Sequence, residues 1–334
     1  MYESLEHVVL KNGEKVEAGV VIGPDLDWAD RVEELLGHKG PLWRWGNEMV
    51  LRESLPVEAY YYLLVREDGI PFSNMMNIEV EGVGLYGHVF TKPEDRRKGA
   101  ASLLLPILLD DFRKRGGRAL VLGTGYDSAP YRIYARGGFE GVEPGSGYMA
   151  YYPDGERDFY DAYFADQTMS VARIDWNHWP PSIPLFIGDF PGVVRSLVME
   201  VLGRRSTEGP IVGRLEEEIE RKDEGKGPRT TVLTGDASGA VFGLATCGNH
   251  PMWPGTCLVD LYCHPSGWER GAELLETMEV DQAERVVAYC DAGLEEKETI
   301  LDAAAYRPVA TYQKRVAADR ARTTFVDVRE WERA

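Results

Sequence analysis

"KPEDRRKGAASLLL", residues 92–105, sets three consecutive cations between a proline and a glycine, and two alanines and a leucine run follow at once. The run predicts a helix that continues through Pro106 to "DDFRKRGG", 110–117, where basic residues and paired glycines form a C-terminal signal. Pro106 is expected to distort its early turns. A helix start carries partial positive charge and unpaired N–H groups, so basic residues are disfavoured there unless an anion arrives. A diphosphate would satisfy several of those amides together. Gly99 and Ala101, with little or no side chain, let phosphate oxygens approach the backbone closely, and Arg96, Arg97 and Lys98 add charge at the same point.

Outward from this stretch, "HVVLKNGEKVEAGVV", 7–21, reads as a hairpin turning at Asn12-Gly13. "DLDWADRVEELLG", 25–37, has helical periodicity, with Asp25 or Asp27 as N-cap. Three strand-like runs follow, at 59–68, 71–82 and 83–91. Beyond the central helix come a short strand at 118–124, a helix in "SAPYRIYARGGF" (128–139) and a strand at 147–153. From about residue 168 the series begins again: a strand at 169–176, helices at 190–203 and 211–222, three strands, a helix at 269–278, then strand, helix and two strands. The intervening "YYPDGERDFYDAYFADQ", 151–167, has few aliphatics and many charges, and reads as a linker. The halves also align directly. "TKPEDRRKGAASLL" (91–104) lies over "CHPSGWERGAELLE" (263–276), matching Pro93 with Pro265, Gly99 with Gly271 and Ala100 with Ala272.

Arg96-x-x-Gly99-x-Ala101, after a strand and opening a helix, resembles the signature of the GNAT superfamily of acyl-CoA N-acyltransferases, and "IYARGGF" (133–139) resembles a second motif of that family. The resemblance covers residues 1 to about 155. It implies an α+β chain of two tandem GNAT-like domains, each a mixed, mostly antiparallel sheet flanked by helices. The expected divisions are 1–155 with the intact acetyl-CoA motif, a linker at 156–167, and a degenerate copy at 168–334. It further implies acetyl-CoA as co-substrate, with Val89, Phe90 and Thr91 pairing with the pantetheine amides through their backbones. Arg96, Arg97, Lys98, Gly99, Ala100, Ala101 and Ser102 would hold the diphosphate. Asp127 stands where many relatives carry a cofactor-contacting asparagine.

Tyr134 matches the family's general acid, and a phenol can give a proton to a departing thiolate. For the base, His88 on the strand before the motif and Glu79 on the preceding strand are the side-chain candidates, with an ordered water as a third route. Leu122, where some relatives carry a glutamate base, cannot serve. Trp43 and Trp45 fall in the region that covers the acceptor in this family, and are equally readable as core. In the second half Trp268 lies over Arg96, Glu273 over Ala101 and Leu301 over Tyr134, so this copy is expected not to bind the coenzyme. A tandem layout with one silent copy resembles mycothiol synthase, but with the working copy at the other end.

The bulk properties set outer limits. With 334 residues, 44% hydrophobic and 28% charged, the chain has room for two soluble domains. A formal net charge of −18 opposes nucleic acid as a partner, and either suits a small-molecule amine or basic peptide acceptor or serves solubility alone. No apolar run approaches membrane-spanning length, and the start "MYESLEHVVLKNGEK" lacks a secretory pattern, so a cytoplasmic protein without membrane attachment is expected. The four cysteines show no CxxC spacing, so reduced buried thiols are expected rather than a metal site. Self-association is left open.

The expected activity is acetyl transfer from acetyl-CoA to an amine by direct attack. A non-catalytic acyl-CoA sensor or assembly subunit is the alternative.

Overall fold

The structure, a computed structural model, describes residues 1–334. The chain divides into two compact units, Met1–Gly141 with Gly147–Phe159, and Val142–Ser146 with Tyr160–Ala334. No helix is long and apolar enough to cross a membrane.

In the first unit the order is β1 (Tyr2–Val9), β2 (Lys15–Ile22), α1 (Leu26–Leu36), α2 (Pro41–Arg52), β3 (Glu58–Val65), β4 (Pro71–Val80) and β5 (Val83–Thr91). Then come α3 (Ala100–Lys114), β6 (Ala119–Gly123), α4 (Ala129–Arg136), β7 (Glu140–Gly141) and β8 (Tyr148–Tyr151). The eight strands form one sheet in the order β1-β2-β3-β4-β5-β6-β8-β7, antiparallel except for β5 and β6. Alternation along β3 shows how its faces are used: the Tyr61 hydroxyl donates to Asn47 of α2, and the next residue, Tyr62, donates to Asp111 of α3. Leu104, Leu108 and Phe112 of α3 join Tyr62, Met75 and Tyr86 in the core of one face. Asp25 caps α1, accepting from the Asp27 and Trp28 amides. Helix α3 runs unbroken through Pro106.

The second unit runs β9 (Met169–Arg173), α6 (Trp179–Ile187), β10 (Val194–Ser196), β11 (Val201–Leu202), α7 (Glu208–Asp223), β12 (Thr230–Gly235), β13 (Val241–Asn249) and β14 (Thr256–Cys263). It closes with α8 (Gly271–Thr277), β15 (Arg285–Asp291), α9 (Glu295–Ala303), β16 (Tyr306–Ala317) and β17 (Phe325–Arg333). Its seven-stranded sheet has the order β9-β12-β13-β14-β15-β17-β16, and β14–β15 is its parallel pair. That is the order β2-β3-β4-β5-β6-β8-β7 of the first sheet, strand for strand. The chain is therefore α+β, with two large, mostly antiparallel sheets of the same connectivity, each flanked by helices. All four cysteines are buried free thiols.

Two segments differ from the sequence expectation, and the helices Pro41–Arg52 and Trp179–Ile187 stand where it names no element. The stretch from Pro41 to Arg52 is helical, although Gly46 and its two tryptophans weaken the periodic signal. The linker stretch carries helix α5 (Glu156–Tyr163), whose Phe159 and Tyr163 are buried. Residues 190–203 form the β10–β11 hairpin and not a helix. Buried carboxylates satisfy this hairpin's amides, and Glu200 and Gly203 take left-handed turns (φ 57 and 68) that a helix cannot contain.

Candidate functional site

Strand β5 pairs with β6 only from Val83 to Leu85, and beyond that the two diverge. A bulge follows. Asn74 faces Phe90 and Met76 faces Gly87, so His88 and Val89 share the space opposite one residue, and His88 takes φ 49. Phe72 then anchors the end of the strand by accepting the Lys92 amide at 2.9 Å. The loop makes a 3-10 turn at Pro93–Asp95 and passes through left-handed Arg97 (φ 67) and Gly99 (φ 89) into α3. Main-chain amides of residues 97–102 donate to no protein acceptor. Alternating left-handed residues ahead of a helix N-terminus turn such amides toward one point, a concave arrangement that suits an anion.

A buried ion cluster holds the loop. Asp95, 1% exposed, accepts from Arg66 at 2.6 Å and from Lys98 at 2.7 Å, and Arg66 also binds Glu14 at 2.8 Å. Burial pushes the Asp95 carboxyl upward, but Arg66 and Lys98 outweigh it and hold the group below the usual carboxylate range. Asp95 is therefore an ionised anchor. Lys98 consequently spends its ammonium inside the loop, while Arg96 and Arg97 are exposed. Arg96 donates to the Thr91 carbonyl at 3.1 Å and lies over the Phe90 ring.

A cavity of about 480 Å³ opens between the diverging strand, the loop and α4. Val89, Phe90, Thr91, Arg96, Arg97, Gly99, Ala100, Ala101 and Ser102 border it, as does Tyr134. Ala129, Pro130 and Ile133 of α4 add an apolar wall. Sequence reading missed these, and it also missed Lys11, which reaches the cavity from the β1–β2 turn. No local signal reveals Lys11, whose place at the cavity depends on contacts with residues far along the chain. Its amide donates to the Lys98 carbonyl at 3.0 Å, and a Cβ at Gly99 would lie 3.3 Å from its side chain.

Tyr134 is 6% exposed, edge-on to Tyr86 at 5.3 Å between centroids. Burial raises its phenol to about 12, partly opposed by the hydrogen bond with Tyr86, so it stays protonated. Ser128 caps α4 by accepting the Tyr131 amide, and so orients the helix that carries Tyr134.

Neither side-chain candidate for the base is placed to serve. Glu79 pairs with Gly84, seven residues from Thr91 along β5, which puts it about 20 Å from the loop. There Arg115 grips it with two hydrogen bonds, 2.9 and 3.0 Å long. His88 is 9% exposed and its Nδ1 lies 3.0 Å from Asn47 Oδ1. Burial lowers it to about 3, with Lys39 and His38 adding to the effect, so the imidazole is neutral. Asn47 Oδ1 also accepts from Tyr61, which makes Nδ1 the donor and leaves the buried Nε2 without a partner. Asp127 is exposed, ion-paired with Arg132 at 2.8 Å, and does not border the cavity, whose α4 wall begins at Ala129.

On the other face of the bulge, Trp43 stands edge-on to His88 at 5.0 Å, and His38 stacks on Phe90 at 4.1 Å. A separate cavity of about 370 Å³ between α1 and α2 is bordered by Glu33, Arg44, Trp45, Asn47 and Glu48. It reaches His88 through Asn47. A Cβ on Gly87 would meet nothing within 4 Å, so the strand is open there.

The equivalent place in the second unit is built differently. Pro265–Arg270 is a longer 3-10 turn, Trp268 is buried, and Gly271 is right-handed (φ −60), its added Cβ meeting Ile300 at 2.7 Å. Glu273 pairs with Arg270, and Leu301 is fully buried. Ala305, two residues beyond α9, keeps the left-handed turn (φ 64) that Gly138 makes two residues beyond α4. Strands β14 and β15 diverge after Val259–Ala288, and the chain's own residues 193–198 span them. Asp291 accepts from the Val193 and Val194 amides, and Asp260 from the Val198 amide and the Ser196 hydroxyl.

No family model matches the chain, and no curated protein does. Solved structures do. An N-acetyltransferase from Staphylococcus aureus is 15% identical over 50% of this chain and 98% of its own, with a TM-score of 0.38. A GNAT-family acetyltransferase from Bacillus anthracis is 9% identical over 49% and 93%, TM-score 0.33. A Salmonella typhimurium protein assigned as an acetyltransferase and solved with acetyl-CoA is 16% identical over 49% and 92%, TM-score 0.36. Each match spans about half of this chain.

Proposed function

We propose that the chain is an acetyl-CoA-dependent N-acetyltransferase whose first unit holds the coenzyme and acts on an amine. One observation carries this reading: the unpaired amides of residues 97–102 and the protonated Tyr134 border one cavity. The residues fit the coenzyme. The left-handed loop offers a diphosphate its amides without a side chain at Gly99, and Arg96 and Arg97 add charge. The apolar α4 wall and the freed edge of β5 suit a pantetheine arm, which can pair with Val89, Phe90 and Thr91 as an added strand. When bound, the thioester supplies the acyl group and a thiolate leaving group. Tyr134 gives its proton to the departing sulfur.

The acceptor approaches from the α1–α2 face, where Trp43 and Trp45 lie and Trp43 stands edge-on to His88. With Glu79 locked and His88 a weak base, the amine arrives already neutral or releases its proton to water. The carboxylates of Glu33 and Glu48, which border the cavity beside Asn47, suit a small amine or a basic peptide.

The missing side-chain base favours a second reading, an acyl-CoA-binding subunit without turnover. Thiol release from acetyl-CoA across a panel of amines separates the two. The transferase reading expects turnover with some amine, and about a 100-fold or greater fall in kcat for Tyr134→Phe with coenzyme affinity retained. Calorimetric titration without acetyl-CoA binding would overturn both readings. Binding without thiol release from any amine would leave the second.

A further inference from the structure

Three cations precede α3 in sequence, but they are not equally available. Lys98 is bonded to the buried Asp95 at 2.7 Å, and Arg96 to the Thr91 carbonyl at 3.1 Å. A cation distant in sequence joins them. Lys11 borders the same cavity, and its ammonium has no partner within the protein. Its backbone is fixed at the loop by the hydrogen bond to the Lys98 carbonyl, 3.0 Å long. The turn it sits in is held by the 2.9 Å bond from the Leu10 amide to Glu14, whose side chain joins the Arg66–Asp95 cluster. The Lys11 stem crosses beside Gly99, at the mouth of the amide cradle. A lysine with an anchored backbone and a free head, next to unpaired amides, is a clamp for a phosphate.

We propose that Lys11, presented by the β1–β2 turn, binds a phosphate group of the coenzyme and takes the place that Lys98 gives up to Asp95. The N-terminal hairpin is thereby part of the binding site. The inference rests on the coenzyme reading above, and concerns either the diphosphate or the 3′-phosphate of the ligand.

The test is calorimetric titration of the full chain, wild type, Lys11→Gln and Lys11→Arg, with coenzyme A and with 3′-dephospho-coenzyme A at low and moderate salt. Lys11→Gln is expected to raise Kd for coenzyme A roughly 5-fold and to flatten its rise with salt, and Lys11→Arg to restore much of both. An equal loss with both ligands places the contact at the diphosphate, and a loss confined to coenzyme A places it at the 3′-phosphate. Unfolding midpoints without ligand should coincide, because the ammonium has no protein partner to lose. If wild type binds and Lys11→Gln matches it in Kd and salt dependence, the clamp is wrong and the coenzyme reading stands. If wild type binds neither ligand, both fall.

Discussion

His88 shows most clearly how a residue's surroundings decide its chemistry. The sequence offers an imidazole on the right strand, with an unperturbed pKa suited to proton transfer near neutrality. Burial, with Lys39 and His38 nearby, removes that capacity and leaves the imidazole neutral. The sign of the resulting pH dependence follows. With a folded pKa of about 3 against an ordinary 6.5, the unfolded chain binds the extra proton between those values. His88 therefore contributes stability that is fully present above about pH 6.5 and is lost as pH falls toward 3. From pH 7 to pH 5 the loss attributable to it is about 2 kcal/mol. Urea unfolding at both pH values, with His88→Gln as comparison, checks this: the variant's decline should be shallower. An equal decline in both proteins would show that other groups set the acid limit.

At the scale of the element, the strand-loop-helix unit from Val83 to Lys114 depends on a backbone that the sequence only half discloses. The glycine, small-residue and basic pattern located the turn, and the residues expected to hold the coenzyme border the cavity except for Lys98 and Asp127. Hidden from sequence were the pairings that lie far apart in the chain. Nothing in the sequence sets Asp95 apart from Glu94, yet it is the buried anchor to which Arg66 and Lys98 both turn. Gly99 has two functions that substitutions can separate. Its left-handed φ of 89 makes any side chain costly, so Gly99→Ala and Gly99→Glu should each lower stability by about 1–2 kcal/mol in urea unfolding. Coenzyme affinity should diverge: Gly99→Ala weakens binding modestly, whereas Gly99→Glu brings a carboxylate among the amides and removes it, at least 100-fold by calorimetry. Equal affinities in the two variants would mean that the anion lies elsewhere.

For the whole molecule, the recurrence of one succession of elements was legible because the aligned Pro, Gly and Ala positions recur with it, whereas the order of the strands within each sheet was not. Residues 190–203 were misread because their valines and leucines satisfy a helical period as well as a buried hairpin, and nothing local names Asp260 or Asp291 as their partners. That segment also bears on stoichiometry. With Gly271 right-handed, Trp268 buried and the diverging strands already spanned, the second unit should take no coenzyme, and titration should give one site per chain. Two equivalent sites would refute the assignment of silence to this copy.

The strap at residues 193–198 has a further consequence for how firmness is distributed along the chain. Where two strands part, a sheet loses cross-links, and the gap must be stabilised either by a visitor or by the protein itself. The second unit carries its own permanent filling, hung from Asp260 and Asp291, and so owes nothing to metabolite supply. The first unit has no such filling, and its gap is where the proposed coenzyme would lie. Amide hydrogen exchange should therefore slow around residues 86–104 when coenzyme is added and stay unchanged around 256–292, one half of the polypeptide registering the thioester level and the other indifferent to it.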